Sequence, residues 1–158
     1  MIREASLHSA GCDLVAEVVR ATGSATLKVT GLSMLPAIWP GDVLTVSRVS
    51  PKLIEPDQVV LYRHNGKFTA HRVVEVAHDH FLTRGDCVPS LDPPVTFSAM
   101  VGQVIAVSRN GRAVKFQPSA WQRTAAWFLR HSELSVRLLL HFRAAPRHLT
   151  EIPEKQIL

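Results

Sequence analysis

Short runs in which apolar and polar residues alternate fill the middle of the chain, from Ala25 to Phe116. A period of two is typical of strands with one buried face, and glycine, proline and asparagine between the runs favour turns. Asn65-Gly66 and Asn110-Gly111 are strong signals for tight hairpins. The pattern predicts strands at 25–30, 42–49, 58–63, 67–76, 81–84, 101–108 and 113–116. We therefore expect a mainly β protein, built as a compact antiparallel β-domain.

The pattern changes to a helical period on both sides of this region. Apolar residues between Leu14 and Val19 recur at helical spacing and predict a short helix at 10–22, which Gly23 ends. A second helical pattern, in one or two segments, covers 119–145. The chain is thereby divided into a β-domain with its N-terminal helix (1–118), a basic amphipathic helical appendage (119–145) and a tail (146–158).

The net charge of +5 is concentrated in the appendage and the start of the tail. Between Pro118 and Thr150, five arginines against one acid, Glu133, give +4 of that total. The arginines are Arg123, Arg130, Arg137, Arg143 and Arg147. Two interpretations stay open: a solvated face of a helix packed on the β-domain, or a surface that contacts an anionic membrane, nucleic acid or an acidic partner. Of these partners we expect peripheral membrane contact before nucleic acid.

Several classes of protein are disfavoured by composition. Cys12 and Cys87 form no disulfide framework and lack metal-ligand spacing, and the eight histidines are scattered, so we expect neither a metal nor an organic cofactor. No apolar run reaches the roughly 18 residues that span a bilayer, and the N-terminus lacks the apolar stretch of an export signal. We expect a cytoplasmic protein, with peripheral membrane contact as an option.

One short motif carries candidate chemistry. Gly31-Leu32-Ser33-Met34-Leu35-Pro36, followed by Pro40-Gly41-Asp42, begins where a predicted strand ends. Gly31 permits a sharp turn and Pro36 stops a local helix, so the turn can expose the Ser33 hydroxyl and leave backbone N–H groups for an oxyanion. The alternative is an ordinary turn serine that bonds its own backbone. A nucleophilic serine needs a base nearby.

Two residues on one predicted strand are candidates for that base. Lys67 and His71 are four apart, so their side chains share a face. Histidine titrates near neutral pH, whereas lysine requires burial, and Lys67 follows an exposed turn; we prefer His71. Asp86 and Asp92, in a proline-rich loop, are candidates for the acid that orients the imidazole, and each is also plausible as a turn or cap residue.

In combination these motifs resemble the S24/S26 serine peptidases, which include signal peptidase I and the self-cleaving LexA/UmuD-type proteins. The resemblance covers about Leu27 to Val107 and rests on the serine box, on His71-Arg72-Val73-Val74, and on Thr83-Arg84-Gly85-Asp86 followed by Asp92. It implies an antiparallel β fold, Ser33 as nucleophile and His71 as base. It also implies Asp92, or less favourably Asp86, as the acid, with backbone N–H groups of Ser33 and Met34 at the oxyanion hole. The histidine box is most similar to the SipW-type and endoplasmic-reticulum signal peptidases.

The resemblance implies a serine endopeptidase that cleaves a protein or precursor peptide. Two differences from the family are expected: signal peptidases have transmembrane helices, and no such helix is apparent here, whereas LexA-like proteins carry a DNA-binding domain ahead of the peptidase, where this sequence shows only the residues before Ala25. Self-cleavage at Ala10-Gly11 is a weaker hypothesis, based on the Ala-Gly bond that LexA-like proteins cut. The alternative from another class is a non-catalytic binding module on the same fold, which would use the basic C-terminal helix.

Overall fold

The computed structural model describes residues 2–116, with side chains described from Gly11 onward. One helix, α1 (Ile2–Thr22), precedes eight strands. The strands are β1 (Ser24–Lys28), β2 (Val43–Ser47), β3 (Val59–His64), β4 (Lys67–Val76), β5 (His80–Arg84), β6 (Val95–Thr96), β7 (Met100–Arg109) and β8 (Arg112–Val114). Short 3-10 turns occupy Pro51–Leu53 and Phe97–Ala99.

The mainly antiparallel β architecture is confirmed. The strands form one sheet in the order β1-β2-β7-β3-β4-β5-β6, with β8 added on β7, and every pairing is antiparallel. Both Asn-Gly pairs form the predicted hairpins, because Asn65, Gly66, Asn110 and Gly111 all have positive φ angles as a type I′ turn requires.

Two predictions at the ends of the β-domain have different outcomes. The N-terminal helix exists but begins at Ile2 rather than Ala10, since the polar residues of its first turns hide the helical period. The predicted appendage at 119–145 and tail at 146–158 lie outside the described residues. No helix in the described part of the chain is both long enough and apolar enough to cross a bilayer.

The central strand β3 supplies side chains to two hydrophobic clusters. Val59 and Leu61 belong to one cluster, and Val60 and Tyr62 to the other, because successive side chains on a strand point to opposite faces. Met34, Ala37 and Ile38, from the segment that follows β1, complete the first cluster. The serine motif is therefore packed into the core of the sheet rather than held on an outlying loop.

Candidate active site

The segment that carries Ser33 is anchored at both ends. Backbone bonds join Val29 N–H to Asp42 O and Gly41 N–H to Val29 O, both at 2.8 Å, and so close the base of the loop. The Asp42 carboxylate is 1% exposed, accepts two bonds from Arg109 at 2.8 and 2.7 Å, and accepts the Trp39 N–H at 2.8 Å. This fixation leaves Ser33 little freedom to move.

The backbone of the 85–87 segment lies directly against Ser33. Cys87 N–H donates to Ser33 O at 3.0 Å. A Cβ placed on Gly85 would lie 2.7 Å from Ser33 O and 2.9 Å from Ser33 Cβ, so only glycine fits here without movement. The glycine of the Gly85-Asp86 pair is thus required for steric reasons.

Asp86 pairs with Arg72. Both of its carboxylate oxygens accept from Arg72, at 2.8 and 2.9 Å, in a pair buried on both sides. Arg72 also donates to Asp57 O at 2.7 Å. The geometry gives Asp86 a structural position, holding the 85–87 segment to β4, and does not support it as the acid that orients His71.

Ser33, His71 and Asp92 form a continuous chain of hydrogen bonds. His71 Nε2 lies 2.8 Å from Ser33 Oγ, and His71 Nδ1 lies 2.6 Å from Asp92 Oδ2. An ionised carboxylate only accepts, so the proton belongs on Nδ1, and Nε2 can accept the proton of the Ser33 hydroxyl. His71 is 8% exposed, which limits competition from water. This is the arrangement in which a serine hydroxyl is activated by a neighbouring base.

The backbone N–H groups of Ser33 and Met34 were predicted to bind an oxyanion. Within residues 2–116, no hydrogen bond occupies the backbone N–H of Ser33 or of Met34. Two backbone N–H groups without a hydrogen-bond partner among the described residues therefore lie at Ser33 and directly after it.

A family model described as Peptidase S24-like matches residues 4–83, about half of the 158-residue chain. The chain belongs to this family. The matched part of the S24-like chain contains Ser33 and His71 and ends before Asp86 and Asp92, so the choice between the two acids rests on the contacts described above. A search of curated proteins gave no significant match. The narrower likeness to SipW-type and endoplasmic-reticulum enzymes stays a prediction.

A groove of about 600 Å³ opens beside Ser33 and His71 in this S24-like domain. Its lining is largely apolar and comes mainly from β1, β3, β4 and the serine segment: Leu27, Val29, Met34, Ile38, Leu61, Phe68 and Ala70 take part. Lys28 and Lys67 add positive charge, and no carboxylate lines the groove within the described residues. Lys67, the alternative base, therefore lies in the groove, whereas the bond to Ser33 Oγ comes from His71.

Two polar residues at the site were missed by sequence reasoning. Tyr62 Oη lies 3.0 Å and Thr83 Oγ1 lies 2.7 Å from Asp92 Oδ2. Burial, above all, raises the pKa of Tyr62; the Thr83 bond opposes this and the Asp92 charge adds to it. The available signal was one tyrosine directly after the apolar run Val59-Val60-Leu61. Among the described residues there is no cluster of three or more histidine, cysteine or acidic side chains that could hold a metal ion.

Proposed function

We propose that this S24-like protein is a serine endopeptidase in which Ser33 is the nucleophile, His71 the general base and Asp92 the orienting acid. The observation that carries the proposal is the unbroken chain of hydrogen bonds, at 2.8 and 2.6 Å, from the serine hydroxyl through the imidazole to the carboxylate. Asp86 has no catalytic part in it.

The geometry supports a two-stage hydrolysis. His71 Nε2 takes the proton as Ser33 Oγ attacks the scissile carbonyl, and the N–H groups of Ser33 and Met34 stabilise the negative oxygen. His71 then donates the proton to the leaving amine, which leaves an acyl-enzyme on Ser33. In the second stage His71 activates water, which attacks the ester and releases Ser33. Asp92 keeps the ring in the tautomer that both stages require.

The substrate we propose is an extended peptide, either in a separate protein or in a precursor peptide. The groove beside Ser33 offers room for substrate side chains, and β1, which lines part of it, is an edge strand to which an extended peptide can add. We further propose that the protein is nearer to the SipW-type and endoplasmic-reticulum signal peptidases than to serine-lysine enzymes, and the contact of His71 with Ser33 Oγ supports this. A cytoplasmic location, with membrane contact through Arg123–Arg147, remains part of the proposal.

The test is covalent labelling of the purified chain with a fluorophosphonate probe. The parent should be labelled at Ser33, Ser33→Ala should not be labelled, and His71→Ala should react about 10²–10⁴-fold more slowly, the usual contribution of a positioned base. Ser50→Ala and His78→Ala are matched controls, because both residues are exposed and lie outside the site. A parent that does not react would favour the binding-module alternative, and a Ser33→Ala variant that reacts like the parent would show that Ser33 is not the labelled nucleophile.

A further inference from the structure

The Asp92 carboxylate is contacted by more than the histidine. One oxygen, Oδ2, lies 2.6 Å from His71 Nδ1, 2.7 Å from Thr83 Oγ1 and 3.0 Å from Tyr62 Oη. Thr83 is 0% exposed and Tyr62 is 2% exposed, while the Asp92 side chain is 20% exposed. A carboxylate at the edge of solvent is therefore held by two hydroxyl groups from the interior.

The proton count determines the direction of these bonds. Each hydroxyl has one proton to give, and an ionised carboxylate can only accept. Thr83 Oγ1 is nearer to Asp92 Oδ2 than to Tyr62 Oη, at 2.7 against 3.2 Å, so its proton goes to the carboxylate. The phenol of Tyr62 donates to the same oxygen, and His71 Nδ1–H is the third donor.

The two hydroxyl groups come from the strands on either side of the histidine strand. Tyr62 lies on β3 and Thr83 on β5, and both strands pair with β4, which carries His71. The Tyr62 and His71 rings meet edge to face, with centroids 6.4 Å apart. Asp92 itself follows β5 in an irregular segment, where its N–H donates to Thr83 O at 2.9 Å. The Asp92 side chain is thus held by residues of the regular strands β3 and β5, although Asp92 itself lies in an irregular segment.

We infer that Tyr62 and Thr83 are positioning residues that hold Asp92 Oδ2 against His71 Nδ1 and so fix the tautomer of the imidazole. The inference deepens the proposed function and rests on it. Without these donors the carboxylate can rotate toward water, and the ring loses the acceptor that keeps its proton on Nδ1. Neither residue touches the substrate or the reacting atoms.

The first test needs no activity, because Tyr62 is the only tyrosine in the chain. Its ionisation can be followed in the full-length protein by the tyrosinate absorbance. Within the described residues Tyr62 contacts two titratable groups, Asp92 and His71. In Asp92→Asn the acceptor charge is gone, so the phenol should ionise at a lower pH than in the parent, while burial keeps it above an ordinary tyrosine.

Asp79→Asn is the matched control, because Asp79 is exposed and bonds His80 instead. Circular dichroism at each pH restricts the comparison to folded protein. A phenol titration that is the same in Asp92→Asn and in the parent would overturn the inference.

The second test compares Thr83→Ser, which keeps the hydroxyl, with Thr83→Val, which keeps the shape and loses it. The readouts are the rate of fluorophosphonate labelling and the downfield proton signal of His71 Nδ1–H. Thr83→Val and Tyr62→Phe should each react about tenfold more slowly, the size expected for one lost hydrogen bond to a charged group, and should shift the signal. Thr83→Ser should keep both the labelling rate and the His71 Nδ1–H signal of the parent.

The outcomes separate this inference from the proposed function. A parent that does not react with the probe contradicts the proposed function, while the phenol titration and the His71 signal still test the arrangement around Asp92. A reactive parent whose Thr83→Val and Tyr62→Phe variants keep both its rate and its signal refutes the positioning role.

Discussion

Replacing Gly85 with alanine is the sharpest test of how Ser33 is placed. The new methyl carbon would lie 2.7 Å from Ser33 O, 2.8 Å from Val88 Cγ2 and 2.9 Å from Ser33 Cβ. Ordinary contact begins at 3.4 Å, so the neighbouring groups must separate by about 0.7 Å. Two of those three atoms belong to Ser33, and one of them is backbone that cannot rotate away.

The displacement is large enough to break the hydrogen bond between Ser33 Oγ and His71 Nε2. Ser33 Oγ lies 2.8 Å from His71 Nε2, so a retreat of about 0.7 Å would bring the pair to roughly 3.5 Å, where little of a hydrogen bond remains. Misplacement on the order of 1 Å can cost about 10²-fold in rate. Overpacking of this kind also destabilises a fold by about 1–3 kcal/mol.

The assay combines the labelling rate of Ser33 with urea unfolding. We expect Gly85→Ala to react about 10²-fold more slowly than the parent and to lose about 1–3 kcal/mol of unfolding free energy. Gly11→Ala is the matched control, because a Cβ there meets nothing within 4 Å. The exchange lies in α1, where alanine should raise the unfolding free energy by up to about 1 kcal/mol. A Gly85→Ala protein with the parent's reactivity and stability would refute the steric reasoning.

Three further predictions concern charge and protonation. Asp86→Asn removes the counter-charge of the buried Arg72 guanidinium, so the free energy of unfolding in urea should fall by about 3–5 kcal/mol. A fall of less than about 1 kcal/mol would contradict this. Lys67→Met should keep most of the labelling rate that His71→Ala abolishes, because His71 holds the Ser33 hydroxyl; a collapse in rate would restore Lys67 as the base. The raised pKa of Tyr62 stabilises the fold fully below about pH 10, the ordinary tyrosine value, and this contribution is lost as the pH rises further. As the pH rises above about 10, the free energy of unfolding should therefore fall less in Tyr62→Phe than in the parent. Parallel curves of unfolding free energy against pH would contradict this contribution of Tyr62.

A feature of this site can be predicted from the sequence when it depends on a few neighbouring residues, and not when it depends on contacts between distant ones. The strands and the Asn-Gly turns follow from alternation and from positive φ angles, both properties of a few neighbouring residues. Ser33 and His71 were found through motif order and strand periodicity. The residues alone leave Asp86 and Asp92 open, because both lie in one irregular loop and the outcome depends on which acid Arg72 binds; only the family resemblance favours Asp92. Tyr62 was hidden because its pattern is that of a core residue, which it also is.

The adjacent residues His71 and Arg72 together hold the loop that carries both acids. Neighbouring side chains on β4 point to opposite faces, so His71 reaches Asp92 while Arg72 reaches Asp86. Asp86 and Asp92 lie near the two ends of the loop that follows β5, so β4 contacts that loop at both points. Between them Cys87 N–H bonds Ser33 O, so the loop is also joined to the nucleophile. Arg72 therefore acts on the serine only through the 85–92 loop, and we expect its contribution to reactivity to follow the rigidity of that loop rather than any charge that it presents to a substrate.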